Sequence, residues 1–142
     1  MIRIVFLSLF FISSSALCQS NKNYFWRSDF DSNGHLKMVK IRPISTGSLN
    51  YKSIIKFLNG NNSPKDKNYL IFKKIRHDTL HLKIKNTTSL TQEMGTAGAM
   101  LYLAEITYNL TELKNIRYIN MDFEEGDNAT PGTYTRNSFR DK

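Results

Sequence analysis

Between Thr79 and Lys85, the apolar residues Leu80, Leu82 and Ile84 alternate strictly with His81, Lys83 and Lys85. A period of two predicts a strand with one buried face and one wet face. Residues 69–76 read as its partner, and only His77 and Asp78 separate the two runs, so a tight antiparallel hairpin is expected. Two further strands are expected. Residues 36–44 form one, with Pro43 marking its end, and Val39 and Ile41 should point away from Met38 and Lys40. Residues 116–123 form the other, with Ile119, Met121 and Phe123 as its buried side.

Elsewhere the period changes to that of a helix. Leu49, Ile54, Ile55, Phe57 and Leu58 fall on one helical side, Lys52 and Lys56 lie opposite, and Asn59-Gly60 supplies the stop. A polar loop at 61–67 follows. Residues 91–112 read as one long helix with a stripe of Met94, Ala97, Leu101, Ala104 and Tyr108, widened by Met100, Leu103 and Leu110. Gly95 and Gly98 inside that helix cost about 1 kcal/mol each against alanine, which predicts a close approach to a strand. Upstream, Tyr24, Phe25, Trp26 and Phe30 punctuate a polar arm or first strand that ends at an Asn33-Gly34 turn. The order of strand, helix, hairpin, helix and strand predicts an α+β fold. Its economical form is a two-layer sandwich, βαββαβ-like, with a single sheet and two helices on one face.

The N-terminus changes where this domain is expected to work. Arg3, the apolar run 4–12 and the small residues Ser13, Ser14, Ser15 and Ala16 are the three parts of a secretory signal. The run is too short to anchor as a transmembrane helix, which needs about 20 residues. Cleavage after Cys18 would leave Gln19 at the mature end. The alternative is lipid attachment at Cys18, although Leu17 is bulkier than the residue such processing prefers. An exported protein is expected, periplasmic or extracellular, touching a membrane only if Cys18 carries lipid. Cys18 is the single cysteine, so its removal excludes disulfides, zinc-thiolate sites and a thiol nucleophile. The expected organisation is a signal peptide at 1–18, an arm at 19–34, an α+β domain at 35–126 and a C-terminal extension at 127–142.

Charge adds a direction. The chain carries 20 Lys and Arg against 12 Asp and Glu, a formal net charge of +8. Residues 35–90 hold twelve of the basic residues against Asp66 and Asp78, whereas from Thr91 onward eight acids face five bases. A basic sheet region beside a mildly acidic C-terminal part suits an anionic polymer or anionic headgroups. A solvated strand face gives the same count.

The most distinctive polar stretch is Asp122, Glu124, Glu125 and Asp127, followed by Pro131-Gly132, Tyr134 and Arg136. Clustered carboxylates can ligate Ca²⁺ or divide acid and base roles, but the spacing does not match an EF-hand. Glu124, Glu125, Asp127, Tyr134 and Arg136 are therefore candidate binding residues; in the structural alternative, Arg136 pairs with one acid and Pro131-Gly132 turns the chain. His35, His77 and His81 are dispersed, and neither a serine-nucleophile motif nor a phosphate-binding glycine loop occurs. No catalytic residue, metal or cofactor is expected. Tyr51, Phe57, Tyr69 and Phe72 lie near lysines, a combination seen at single-strand and glycan sites, yet core packing accounts for them at lower cost. Export argues against a nucleic-acid partner. Asn86, Asn109 and Asn128 begin glycosylation triplets that matter only in a eukaryotic secretory pathway.

The hairpin strand Leu80-His81-Leu82-Lys83-Ile84, the glycine-bearing helix ending in Tyr108-Asn109-Leu110-Thr111-Glu112-Leu113, and the strand leading into Glu125-Gly126 resemble the GerMN (spore germination and sporulation) domain family of bacterial envelope proteins. The likeness covers roughly residues 36–126. It implies a βαββαβ-like ring-building fold, no catalytic residues to carry over, and a role in envelope assembly or ligand contact. The expected function is a non-enzymatic envelope module that binds an envelope protein or anionic polymer through a sheet edge or the C-terminal loop. The competing expectation is a small periplasmic hydrolase using Glu124, Glu125 or Asp127 with Arg136.

Overall fold

The computed structural model describes residues 22–60 and 68–140. The expected signal peptide with Cys18 and the expected 61–67 loop lie outside the described residues. In chain order the elements are β1 (Tyr24–Phe30), β2 (Leu36–Pro43), a 3-10 turn (Thr46–Ser48), α1 (Tyr51–Asn59), β3 (Tyr69–Arg76) and β4 (Thr79–Lys85). They continue with a π-helical turn (Ser89–Glu93), α2 (Gly95–Leu110), β5 (Tyr118–Asp122), β6 (Gly132–Tyr134) and a 3-10 turn (Arg136–Phe139). The class is α+β, as expected. The strands, however, form two sheets rather than one: an antiparallel β1–β2 pair, and a four-stranded sheet in the order β3-β4-β5-β6. Within the larger sheet β4 and β5 run parallel and are joined by α2, while the other two pairings are antiparallel.

The hairpin forms as the alternation demands. Leu80, Leu82 and Ile84 are buried, and so are Ile119, Met121 and Phe123 of the strand alongside. His77 opens the two-residue turn at φ +55°, a left-handed value that hairpin turns of this length require. The other hairpin turns at Asp31, whose carboxylate accepts the backbone N–H groups of Asn33 and His35 at 2.8 and 2.9 Å. Those bonds hold the Asp31 carboxyl below its usual range. On β2, Met38 packs against the core while Val39 and Ile41 are 40% and 41% exposed on the opposite side.

Helix α1 starts where the Asn50 side chain accepts the Ser53 N–H at 3.0 Å. It stops at Gly60, whose N–H reaches the carbonyls of Lys56 and Phe57 and whose φ is +54°. The expected long helix over 91–112 is interrupted. The chain first makes a π-helical turn, with Met94 N–H donating to the Ser89 carbonyl at 3.0 Å, and α2 proper begins at Gly95, φ +71°. A Cβ on Gly95 would meet nothing within 4 Å, and one on Gly98 would lie 3.1 Å from Cβ of Met94. The two glycines thus serve the change of helix type and the turn before it, not the close approach to a strand that was expected.

Two buried asparagines explain why the sheets stay apart. Asn109, on α2, accepts the Trp26 N–H at 2.9 Å and donates to the Trp26 carbonyl at 2.8 Å, as a neighbouring strand would. Along the same edge of β1, Glu112 accepts from Tyr24 N–H and Glu105 from Ser28 N–H. Residues 105, 109 and 112 follow one helical side while 24, 26 and 28 follow one strand edge, so α2 occupies the edge where another strand would add. On α1, Asn59 makes the same bidentate pair with Leu70 of β3, at 2.9 and 3.0 Å.

Replacing Asn109 with alanine leaves both backbone groups of Trp26 without these partners, so Asn109→Ala should lose about 2–4 kcal/mol of unfolding free energy in a urea titration. A change under about 0.5 kcal/mol would show that the pairing is dispensable. Burial, with Glu105 nearby, pushes the Tyr102 hydroxyl well above its ordinary pKa of 10.0. The neutral phenol is the form the fold favours, so its contribution is complete below the unfolded-state value and is lost as pH rises through and beyond it. Thermal denaturation between pH 9 and 11 should show an alkaline decline that Tyr102→Phe flattens.

Candidate functional site

One face of the four-stranded sheet carries the buried leucines; the other carries the polar partners that alternation turns outward. Register places Lys74 of β3, His81 of β4, Asn120 of β5 and Thr133 of β6 side by side in a row across the sheet. The row is hydrogen-bonded along part of its length. Asn120 Nδ2 donates to Thr133 Oγ1 at 3.0 Å, and Asn120 Oδ1 lies 3.2 Å from His81 Nδ1. Since an amide oxygen only accepts, Nδ1 of His81 is the donor in that contact.

Neighbouring rows add Arg76, Lys83 and Lys85, and a β-bulge between Phe72 and Lys74 brings Lys73 into the same region. Asp122 stands beside Lys83 as the acidic neighbour. Among the described residues none of these basic side chains has a carboxylate within ion-pairing distance; the ion pairs there are His35 with Asp31 and Arg136 with Glu112. Lys73, Lys74, His81, Asn120, Asp122 and Gly132 contribute to a shallow, open depression of about 680 Å³. Strands about 4.8 Å apart, with like-facing side chains about 6.8 Å apart along each strand, set the cations out as a lattice suited to repeated anionic groups.

The residues singled out in the sequence lie elsewhere: Asp127 and Tyr134 line one open pocket of about 520 Å³ together with Phe139, and Glu124, Glu125 and Arg136 are not part of it. Glu124, Glu125 and Asp127 are exposed on the loop after β5. That loop is pinned at its base: Gly126 N–H donates to the Ala129 carbonyl and Asn128 N–H to the Thr91 carbonyl, both at 3.1 Å. A Cβ at Gly126 would come within 2.6 Å of Thr91 Cβ, which is why the chain has glycine there. Tyr134 donates its hydroxyl to the Thr130 carbonyl and stacks on Phe139, and burial pushes its hydroxyl pKa up.

Arg136 is engaged on the far side of the C-terminal segment. Its Nη2 donates to Glu112 Oε1 at 2.6 Å and to the Tyr108 carbonyl at 3.0 Å, and its Nε donates to Thr111 Oγ1 at 2.8 Å. The guanidinium also lies over the rings of Tyr108 and Trp26, 5.0 and 5.5 Å from their centroids. It pairs with an acid of the turn that follows α2 rather than with the loop acids, and it satisfies the carbonyl of Tyr108, one of the helix's last.

Among the described residues, no three His, Cys, Asp or Glu side chains gather as a group that could hold a metal ion. No described helix is long and apolar enough to cross a membrane. Tyr51 and Phe72 stack on one another at 4.1 Å, as do Phe25 and Phe57 in a tilted pair, which accounts for aromatics that sequence alone placed near lysines. Sequence reasoning did not single out Lys74, Asn120 or Thr133. The period of β4 exposed His81 and Lys83, but only strand register assembles the row. Comparison of the chain with protein-family models, with curated proteins and with solved structures finds no match.

Arg136→Lys keeps the charge but loses the planar fork, so it should lower unfolding free energy by about 1–2 kcal/mol. A urea midpoint equal to the parent's would show that the fork carries no stability.

Proposed function

We propose that this protein is an exported, non-enzymatic binding module of the bacterial cell envelope that holds an anionic polymer across the open face of its four-stranded sheet. The carrying observation is the hydrogen-bonded row His81–Asn120–Thr133 set among Lys73, Lys74, Arg76, Lys83 and Lys85, with no carboxylate paired to those cations among the described residues. Exposed cations on a flat face attract a polyanion through many weak, screened contacts rather than one deep one, so affinity should come from repetition along the polymer. The signal-like N-terminus supplies the location, and the GerMN likeness of residues 36–126 supplies the envelope setting. In this reading the loop with Glu124, Glu125 and Asp127 takes no part in holding the polymer.

Polyphosphate and poly-L-glutamate are suitable probes, with neutral dextran as a control. Fluorescence anisotropy at 50 mM salt should detect both polyanions and not dextran, and binding should fall steeply by 200 mM salt. Lys74→Glu with Lys83→Glu should weaken binding at least tenfold, whereas Glu124→Gln with Glu125→Gln should leave it equal or slightly tighter. Retention of full affinity by the lysine double variant would remove this face as the binding surface.

A further inference from the structure

A second set of basic residues lies away from the open sheet face, where the end of β2 meets α1. Arg42, Ser45, Ser48, Ser53 and Lys56 contribute to a pocket of about 500 Å³ that Phe25 and Phe57 also line. The two rings pack at 4.1 Å between centroids, with Phe25 buried. The Arg42 guanidinium rests over both, 5.0 Å from the Phe25 centroid and 5.8 Å from that of Phe57. A guanidinium laid on aromatic faces keeps its N–H groups free at the rim, and here no carboxylate of the described residues pairs with it. Lys56 projects from α1 one turn after Ser53 and is likewise without an ion-pair partner among the described residues. Ser45 and Ser48 are hydrogen-bonded to each other through their hydroxyls at 3.0 Å. If Ser45 donates, the Ser48 hydroxyl proton remains available; Ser53 offers a third hydroxyl beside them.

We propose that this pocket is a binding site for a phosphate monoester. Two unpaired cations match a group whose charge is near −2 at neutral pH, while a carboxylate would satisfy only one of them. The planar fork of Arg42 pairs with two oxygens of a tetrahedral anion, Lys56 adds a point charge, and the serine hydroxyls donate to a third oxygen. Phe25 and Phe57 act here through Arg42, whose guanidinium their rings attract to the rim of the pocket. The site is independent of the open face, sharing none of its residues, and it takes a single small anion instead of a polymer.

The test is a titration of the isotope-labelled protein with glycerol 3-phosphate, inorganic phosphate and acetate, followed by amide chemical shifts. Glycerol 3-phosphate should move the amides of Ser45, Ser48, Ser53 and Lys56 in a saturable way, and acetate should not at matched ionic strength. Inorganic phosphate with equal affinity would assign the site to the free ion, and tighter binding of the ester to its organic derivative; either supports a phosphate site. Lys56→Gln, at an exposed position, should weaken binding at least fivefold, and Arg42→Gln at least tenfold, with the Lys74→Glu and Lys83→Glu pair unchanged. Shifts that are spread over all the lysines, or that persist undiminished in Lys56→Gln and Arg42→Gln, would overturn the proposal while leaving the polymer reading intact. Loss of polymer binding without loss of these shifts would do the reverse.

Discussion

A strand at the end of a sheet exposes a row of backbone donors and acceptors that must find water, another strand or a substitute. In this protein the substitute is a side-chain amide. Asn109 gives Trp26 of β1 the two bonds a neighbouring peptide would give, and Asn59 does the same for Leu70 of β3. Both asparagines are buried near the ends of helices, with their polar atoms satisfied. The remaining architecture depends on these pairs. They hold the β1–β2 hairpin against α2 and α1 against β3, and they take up the edges through which two small sheets could otherwise have merged.

Arg136 completes that arrangement from the other end of the chain. By bonding Glu112, Thr111 and the Tyr108 carbonyl, it fixes the carboxylate that in turn accepts Tyr24 N–H and Trp26 Nε1. The N-terminal hairpin, the end of α2 and the C-terminal turn are therefore joined through one carboxylate and its donors. Hydrogen bonds of this kind between ionised and neutral groups are stronger than neutral ones. Their loss would be felt by three segments at once.

Placing the helices and the N-terminal hairpin around the buried leucines also shapes the molecule's chemistry. The polar residues of β3, β4, β5 and β6 are left on a face that none of the described elements covers, while the acids gather after β5, where Gly126 lets the loop sit against the π-helical turn. The charge imbalance between residues 35–90 and the C-terminal part thus becomes a spatial separation. The basic groups on the open face and those around Arg42 have no ion-pair partners among the described residues, so they stay available to ligands.

Much of the fold was legible along the chain because it follows from local periodicity. The buried leucines of β4, the buried side of β5, the hairpin turn at His77-Asp78 and the stop at Asn59-Gly60 each depend on neighbours within a few residues. Periodicity does not report which edge meets which, so it predicts a single sheet where two form and says nothing of the strand edge that Asn109 occupies. The same limit hid the polar row on the open face: Lys74, His81, Asn120 and Thr133 come from four strands spread over sixty residues, and only hydrogen-bonded register sets them in a row. Sequence by itself determined the α+β class, the inward faces of β4 and β5 and the segregation of charge, since these are written in residue order. Tertiary structure alone decided that Arg136 would clasp Glu112 instead of the loop acids, because the partner of a long side chain is chosen by which segments pack together.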